Sequence, residues 1–205
     1  MHTTMTNTNL KPFQNRLPDF FEIYKVDNHL EHKKKLLGLI DDMVQEHKLT
    51  FNEMGYLYDF NQPKLPRNYG LYFDHVLWPY AIEHGEKYSL KIHNLQKAKP
   101  WFHQYYQSSS FGWHQHNGHW AIIYYVELPE PKEATEFLDY GTLPVEEGDL
   151  VFFPTFLNHR SPVIKSDKRK TIISCNLDYT VDREYIDEHY GHHSYKRIKH
   201  SRIIK

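Results

Sequence analysis

The chain has 205 residues, a length that suits one domain of ordinary size and would leave two full domains cramped. Its 25 basic and 26 acidic residues give a net charge of -1, so no overall field attracts nucleic acid or an anionic membrane. The single cysteine, Cys175, excludes a disulfide framework and a cysteine-rich zinc or iron–sulfur site, so any metal must be bound by His, Asp or Glu.

The first hundred residues predict an extension of helices and loops. Residues 1–26 show no clear periodicity, and we interpret them as a poorly ordered start leading into a short strand or turn. From Asn28 onward apolar residues recur at helical spacing, with Asn28 and Glu31 as a capping pair, which predicts an amphipathic helix. Residues 49–73 resemble loops with short strands, and 75–99 favour a second helix interrupted by a proline and a glycine.

Beyond residue 100 the sequence predicts strands. The predicted strands are short runs of aromatic and β-branched residues at 101–107, 120–128, 135–140, 149–153 and 170–177. Close spacing without intervening helices favours an antiparallel sandwich or small barrel over a parallel sheet. We therefore expect a mainly β fold with flanking helices: one domain over 1–205, with the extension 1–100 packing on a β core at 101–180 and a basic tail at 181–205.

Apolar stretches along the chain are short. The run 121–126 falls far short of the roughly 20 residues that a membrane-spanning helix needs, and no apolar segment follows a basic one at the N-terminus. We expect a cytoplasmic protein that does not enter the membrane. The segment 189–205 has five basic residues and four histidines without an acid, and we interpret it as a solvated tail or amphipathic helix.

The strongest chemical signal is a group of three histidines. Residues two apart on an extended chain share a face, so His114 and His116 can point at one ion. Such a pair is weak evidence alone, because the chain contains 16 histidines. A second segment, 148–159, starts with a turn glycine, continues as an apolar strand that ends in a proline, and reaches His159. A strand returning across a barrel can bring this third imidazole beside the first two.

Arg169 is a candidate anion-binding residue. It precedes the last predicted strand and shares the parity of that strand's more apolar residues. An arginine that points into a barrel requires an anion, because an unpaired buried charge is very costly. A carboxylate would match its planar guanidinium group, and a structural salt bridge to Glu127 or Asp139 is the alternative.

Taken together, these motifs resemble the iron(II)- and 2-oxoglutarate-dependent oxygenases, in particular a group found often in phage and bacterial genomes. The resemblance covers residues 101–177. It rests on a His-x-His segment, a Tyr-Tyr strand, a segment that runs from a glycine to Phe-Pro, a distal histidine and an arginine strand that ends in asparagine. In this sequence these are His114 and His116, Tyr124 and Tyr125, 148–154, His159, and Arg169 through Asn176.

This resemblance implies a double-stranded β-helix, the jelly-roll or cupin-like barrel. It implies an enzyme that uses iron(II) and 2-oxoglutarate to hydroxylate a substrate, releasing succinate and carbon dioxide. The implied contacts are the three histidines on iron and Arg169 on the far carboxylate of 2-oxoglutarate, with Tyr124 and Asn176 as weaker candidates. The substrate, a small molecule or a macromolecule, is left open, and an oligomer is compatible with the resemblance.

The sequence departs from the wider family at His116, which stands where most members have a carboxylate ligand. His119 or Glu127 are therefore alternative third ligands, and three imidazoles would also suit zinc, copper or nickel. A rival interpretation is a cupin-type metalloprotein with Glu127 as a fourth ligand and no task for Arg169. A third is a non-catalytic β domain whose histidines hold zinc or no metal.

Overall fold

The computed structural model describes residues 18–87 and 95–179. The predictions for 1–17 and for the basic tail at 181–205 lie outside these residues. The described elements in chain order are β1 (Glu22–Lys25), α1 (His29–Glu46), β2 (Tyr56–Tyr58), α2 (Asn68–Lys87), β3 (Leu95–Lys97), β4 (Trp101–Tyr105), β5 (Phe111–His114), β6 (Trp120–Glu127), β7 (Glu136–Phe137), β8 (Gly141–Thr142), β9 (Asp149–Pro154), β10 (His159–Ser161) and β11 (Lys170–Tyr179), with a short 3₁₀ helix at Pro131–Glu133.

The amphipathic helix expected after residue 28 is confirmed as α1. Its buried side chains are Leu36, Ile40 and Met43, which recur at helical spacing. The predicted capping pair is wrong, because Asn28 has a φ of 52° and its side chain makes no capping hydrogen bond. A capping side chain needs extended backbone at that position, which the left-handed conformation does not provide.

Helix α2 lies closer to the N-terminus than the predicted helix at 75–99, and the last part of that prediction is wrong, because Leu95–Lys97 form strand β3. The helix starts at Asn68, inside a stretch interpreted as loops, and continues through Pro79 to Lys87. Tyr69, Phe73 and Leu77 are fully buried at intervals of four residues. Their burial against the sheet stabilises the helix despite the internal proline, which by itself disfavours helix.

The strands of the described residues form two antiparallel sheets, which confirms the mainly β fold. The larger has the order β1-β9-β6-β11-β4-β2, with β3 also paired to β11, and the smaller has the order β5-β10-β7-β8. The first hundred residues, expected to give helices and loops around the core, also contribute β1, β2 and β3 to the larger sheet. The division of the chain at residue 100 stays a prediction.

The larger sheet is buried on both faces. We call outer the face that packs on α1 and α2; its cluster with the helices includes Phe73, Tyr124, Ile173, Cys175 and Leu177. The inner face is opposite the smaller sheet, and the cluster between the sheets includes Tyr125, Phe137, Phe153 and Ile172. Side chains alternate between these faces along β11. No helix within 18–87 or 95–179 combines the length and apolar character needed to cross a membrane.

Candidate metal centre and co-substrate pocket

Neighbouring strands of the smaller sheet bring the three histidines together. His114 at the end of β5 and His159 at the start of β10 are directly paired across the ladder. His116 follows the end of β5, and its backbone N–H donates to the carbonyl oxygen of Thr155 at 3.0 Å. Gly118, with a φ of 103°, then turns the chain into β6, a conformation that glycine adopts without strain.

The ring nitrogens of this triad converge on one point. One ligand atom from each of His114, His116 and His159 lies within 4.8 Å of the others. The Nε2 atoms of His116 and His159 are 3.1 Å apart. The Nδ1 atoms of His114 and His159 lie 2.9 Å from the carbonyl oxygens of Gly112 and Leu157. Because a carbonyl only accepts, each Nδ1 carries the proton and Nε2 is left for a metal.

Burial keeps the triad in its neutral form. Burial, together with the neighbouring His114, lowers the pKa of His116 to about 4 and that of His159 to about 3. Burial also lowers the pKa of His114, against hydrogen bonds that raise it. Neutral imidazole is the form that ligates metals, so the donor set fits an ion such as iron(II) and also suits zinc or nickel.

The alternative third ligands lie away from the triad. His119 is exposed, and its Nδ1 is 3.2 Å from Oδ1 of Asp178. Glu127 accepts hydrogen bonds from Arg169 and Thr171 instead. Within residues 18–87 and 95–179, the three histidines of the triad are the side chains whose potential metal-ligand atoms lie close enough together to bind one ion.

A small cavity of about 30 Å³, the inner cavity, borders the triad. It lies on the inner face of the larger sheet, beneath the smaller one. The residues that matter for its chemistry are His103, Tyr105, His114, His116, His159 and Ser161.

Lys170 lies behind Ser161 and is fully buried. Its Nζ donates to the carbonyl oxygen of Glu133 at 2.6 Å and to Oγ of Ser161 at 3.0 Å, and it is 5.1 Å from the centre of the Tyr105 ring. Burial lowers the pKa of Lys170 to about 7, although the nearby negative charge of Glu133 acts to raise it. Both hydrogen bonds go to uncharged oxygens, so an incoming carboxylate would stabilise the ammonium form of Lys170.

Comparison with known proteins identifies the architecture. No protein-family model matches the sequence, and no curated protein matches it either. Solved structures do match, including the viral collagen prolyl hydroxylase of Paramecium bursaria Chlorella virus-1 in its 2-oxoglutarate complex, with a TM-score of 0.57 and 12% identity over 78% of this chain and 96% of that one. The chain has the fold of the 2-oxoglutarate-dependent oxygenases.

Two further structures show the same oxygenase fold. HygX from Streptomyces hygroscopicus, solved with nickel, 2-oxoglutarate and hygromycin B, has a TM-score of 0.56 and 8% identity over 78% of this chain and 83% of its own. The prolyl hydroxylase from Trichoplax adhaerens, in complex with a peptide of hypoxia inducible factor, has a TM-score of 0.58 and 10% identity over 78% and 84%. The predicted double-stranded β-helix is thereby confirmed.

Within this oxygenase fold Arg169 lies on the outer side, and the expectation that it points into the barrel is wrong. Its Nε donates to Oε2 of Glu127 at 2.7 Å, and its Nη1 donates to Oδ1 of Asp41 at 3.2 Å. The apolar face that Arg169 shares with Ile173 is the one that packs on the helices. Because both faces are buried, an apolar character did not identify the interior.

Lys170 is the residue that the sequence reasoning missed. It has the parity of Ser174, which lines the inner cavity, so alternation along β11 places it on the inner face. The available signal was the polar set Lys170, Ser174 and Asn176 at alternate positions of an otherwise apolar strand.

Tyr124 and Asn176 occupy different faces. The Tyr124 hydroxyl is 2.7 Å from Nδ1 of His29 in the outer cluster, so its placement contradicts the expected contact with a co-substrate carboxylate. Tyr124 therefore acts as a core aromatic. Asn176 has inner parity, and its buried Oδ1 has no hydrogen-bond partner within the described residues. Its contact with the co-substrate stays a prediction.

Proposed function

We propose that this chain is an iron(II)- and 2-oxoglutarate-dependent dioxygenase that hydroxylates its substrate and releases succinate and carbon dioxide. The observation that carries the proposal is the inner cavity itself. It borders three convergent neutral imidazoles and, through Ser161, the buried ammonium group of Lys170. The oxygenase fold supports the same assignment. We also propose that the protein is located in the cytoplasm.

The triad would hold the metal through the nitrogen atoms that face one another. The carbonyl oxygens of Gly112 and Leu157 fix the tautomer and the orientation of His114 and His159. The triad would supply three of the metal's ligands, so that 2-oxoglutarate could bind the same ion. When bound, iron supplies the redox chemistry that inserts oxygen into the substrate.

Lys170 would bind the far carboxylate of 2-oxoglutarate, the role that the sequence assigned to Arg169. A charge-assisted hydrogen bond from a buried ammonium group is stronger than a neutral one. The inner cavity, at about 30 Å³, is too small for a dicarboxylate. Lys170 and Ser161 would therefore exchange their hydrogen bond to each other for bonds to the incoming carboxylate.

The test is metal-dependent conversion of 2-oxoglutarate to succinate by the purified protein. We expect succinate from the wild type and from His119→Ala, because His119 is exposed and paired with Asp178 outside the triad. We expect none from His159→Ala. Metal binding without succinate formation in the wild type would favour a cupin-type metalloprotein instead.

A further inference from the structure

A second cavity opens next to the inner one, and we call it the outer chamber. Its volume is about 310 Å³, within the range of about 300–1,000 Å³ that is typical of small-molecule sites. It shares with the inner cavity the residues Trp101, His103, Phe111, His114 and His116. A group held in the outer chamber therefore lies directly beside two histidines of the triad.

The outer chamber has a buried floor and an exposed mouth. Tyr56 and Trp101 are 5% and 4% exposed and belong to the floor. Phe60 is 55% exposed at the mouth, where its ring packs edge-on against Trp101 at 5.1 Å between centroids. A ligand that enters past Phe60 consequently meets aromatic surface before it reaches the triad.

The wall of the outer chamber contains parallel ring planes. The His103 ring is stacked with that of Tyr58 at 5.8 Å and an interplanar angle of 3°. It is also stacked, at 5.4 Å and 12°, with Tyr105, which lines the inner cavity, whereas the chamber rings of Tyr56 and Phe111 are tilted against it by 56° and 59°. Aligned ring faces favour a flat ligand, since offset stacking and edge contacts between rings are both attractive.

The lining of the outer chamber is uncharged apart from any bound metal. It consists of aromatic rings, imidazoles and the carboxamides of Asn61 and Gln115, without a carboxylate, ammonium or guanidinium group in the described lining. An anionic ligand would lose its hydration without a cationic side chain to replace it. A cationic ligand would likewise lose its hydration without a carboxylate side chain to replace it.

The polar side chains of the outer chamber are an imidazole with a buried, unpartnered nitrogen and two carboxamides that are already hydrogen-bonded. His103 is only 7% exposed, and its buried Nδ1 has no hydrogen-bond partner in the described residues. Asn61 donates from Nδ2 to the Tyr58 hydroxyl at 2.6 Å, and Gln115 donates from Nε2 to the carbonyl oxygen of Phe156 at 2.5 Å. These bonds orient both amides, and a buried nitrogen without a partner favours a ligand that supplies one.

We infer that the outer chamber binds the substrate and selects an uncharged, planar ring that carries hydrogen-bonding atoms at its edge. The inference rests on the proposed function, because it takes the triad as the reacting centre. It adds the chemical class of the group presented there, which neither the triad nor the fold determines.

Three probes of the same shape and different charge test this inference. Benzamide is uncharged, benzoate is an anion and benzamidine is a cation at neutral pH. Each probe is titrated calorimetrically into the protein saturated with 2-oxoglutarate. The protein is loaded with nickel(II) in place of iron(II) to prevent turnover. We expect the Kd of benzamide to be at least ten-fold lower than that of either charged probe.

Two equally exposed phenylalanines provide a matched pair of variants. Phe60 and Phe51 are each 55% exposed, so replacing either by alanine spares the core. Phe60→Ala should raise the Kd of benzamide at least three-fold. Phe51 lies outside the chamber lining, so Phe51→Ala should keep this Kd within two-fold of the wild-type value. The parallel stacking on His103 predicts a rise of at least five-fold for Tyr58→Ala and retained binding for Tyr58→Phe.

Equal affinity for the three probes, or no benzamide binding beside bound 2-oxoglutarate, would overturn the inference and leave the proposed function intact. The same instrument measures 2-oxoglutarate binding to the nickel-loaded protein before the probe is added. If 2-oxoglutarate does not bind, the proposed function fails; selective benzamide binding would then support the outer chamber only as a site for an uncharged planar ring, and its role as the substrate site would fall with the proposed function.

Discussion

The outer and inner faces of the larger sheet are both buried, but their polar groups are arranged differently. On the outer face the charges satisfy one another: Arg169 is held by Glu127 and Asp41, and Lys97 pairs with Asp74. Much of the remaining contact with the helices is aliphatic and aromatic. The inner face carries imidazoles and the ammonium group of Lys170, and His103 has a buried nitrogen without a partner in the described residues.

Two adjacent residues at the start of β11 illustrate this difference. Arg169 and Lys170 are neighbours in sequence, yet alternation sends one toward the helices and the other toward the triad. In a sheet covered on both sides, burial does not distinguish a structural charge from a functional one. The two charges differ in their hydrogen bonds: Arg169 donates to carboxylates, whereas Lys170 donates to a carbonyl and a hydroxyl oxygen.

The largest expected effect concerns the inner face. His159→Ala should reduce metal affinity by more than about 100-fold, because loss of a direct ligand exceeds the roughly 10–100-fold cost of losing an outer-shell partner. Metal content after dialysis and a nickel titration measure it. His119→Ala is the control, since its imidazole faces Asp178. Retained affinity in His159→Ala would remove this histidine from the metal site.

A substitution on the outer face should act on stability alone. Ile173 is fully buried against the helices, so Ile173→Ala should lower the free energy of unfolding by about 2–5 kcal/mol, through lost burial and the cavity left behind. Urea unfolding measures the loss. Val163→Ala, at a position 54% exposed, should change stability by less than about 0.5 kcal/mol. A reduced metal affinity in the folded Ile173→Ala variant would contradict the claim that the outer face contributes to stability but not to the metal site.

Removing the outer charge should have a smaller effect. Arg169→Met leaves Glu127 without its bidentate partner, and we expect a loss of about 1–2 kcal/mol, because the pair is partly exposed and screened by solvent. Adding Glu127→Gln in the double variant should recover part of the loss. Urea unfolding of the three proteins checks this, and a double variant less stable than Arg169→Met would contradict it.

Near neutral pH, the pH dependence of stability should be the mildest effect. Burial lowers the pKa of His103 and His159 to about 3, from about 6.5 in the unfolded chain, so the folded metal-free protein binds fewer protons. Stability is then complete above pH 6.5 and falls as the pH drops toward 3, by about 1 kcal/mol or less per imidazole between pH 7 and 6. His103→Phe should show a shallower slope in urea unfolding, and an equal slope would contradict the assignment.

Much of the β framework follows from the sequence because its strands are long and apolar. Strands β4, β6, β9 and β11 all begin at the residue predicted for them. By contrast, β5 and β10 have four and three residues, too few for alternation to be recognised, although they place His114 and His159 opposite each other. The spacing of the histidines identified candidates for one site, but only the strand pairing shows that they converge.

Other features depended on tertiary contacts that a sequence does not display. Pro79 argued against a continuous helix, and burial of Phe73 and Leu77 overrides that local preference. The choice between Arg169 and Lys170 depended on which face the helices cover. Local pattern cannot supply that information when both faces are apolar.

The most direct test of the whole account compares 2-oxoglutarate binding by two adjacent variants. Lys170→Met replaces the buried ammonium group with an apolar side chain of similar length, so the fold should be retained. In a calorimetric titration of the nickel-loaded protein, we expect Lys170→Met to bind 2-oxoglutarate at least about 30-fold more weakly than the wild type, as loss of a buried charge pair implies. Arg169→Met should bind it within two-fold of the wild type. Weak binding by Arg169→Met and normal binding by Lys170→Met would contradict the account.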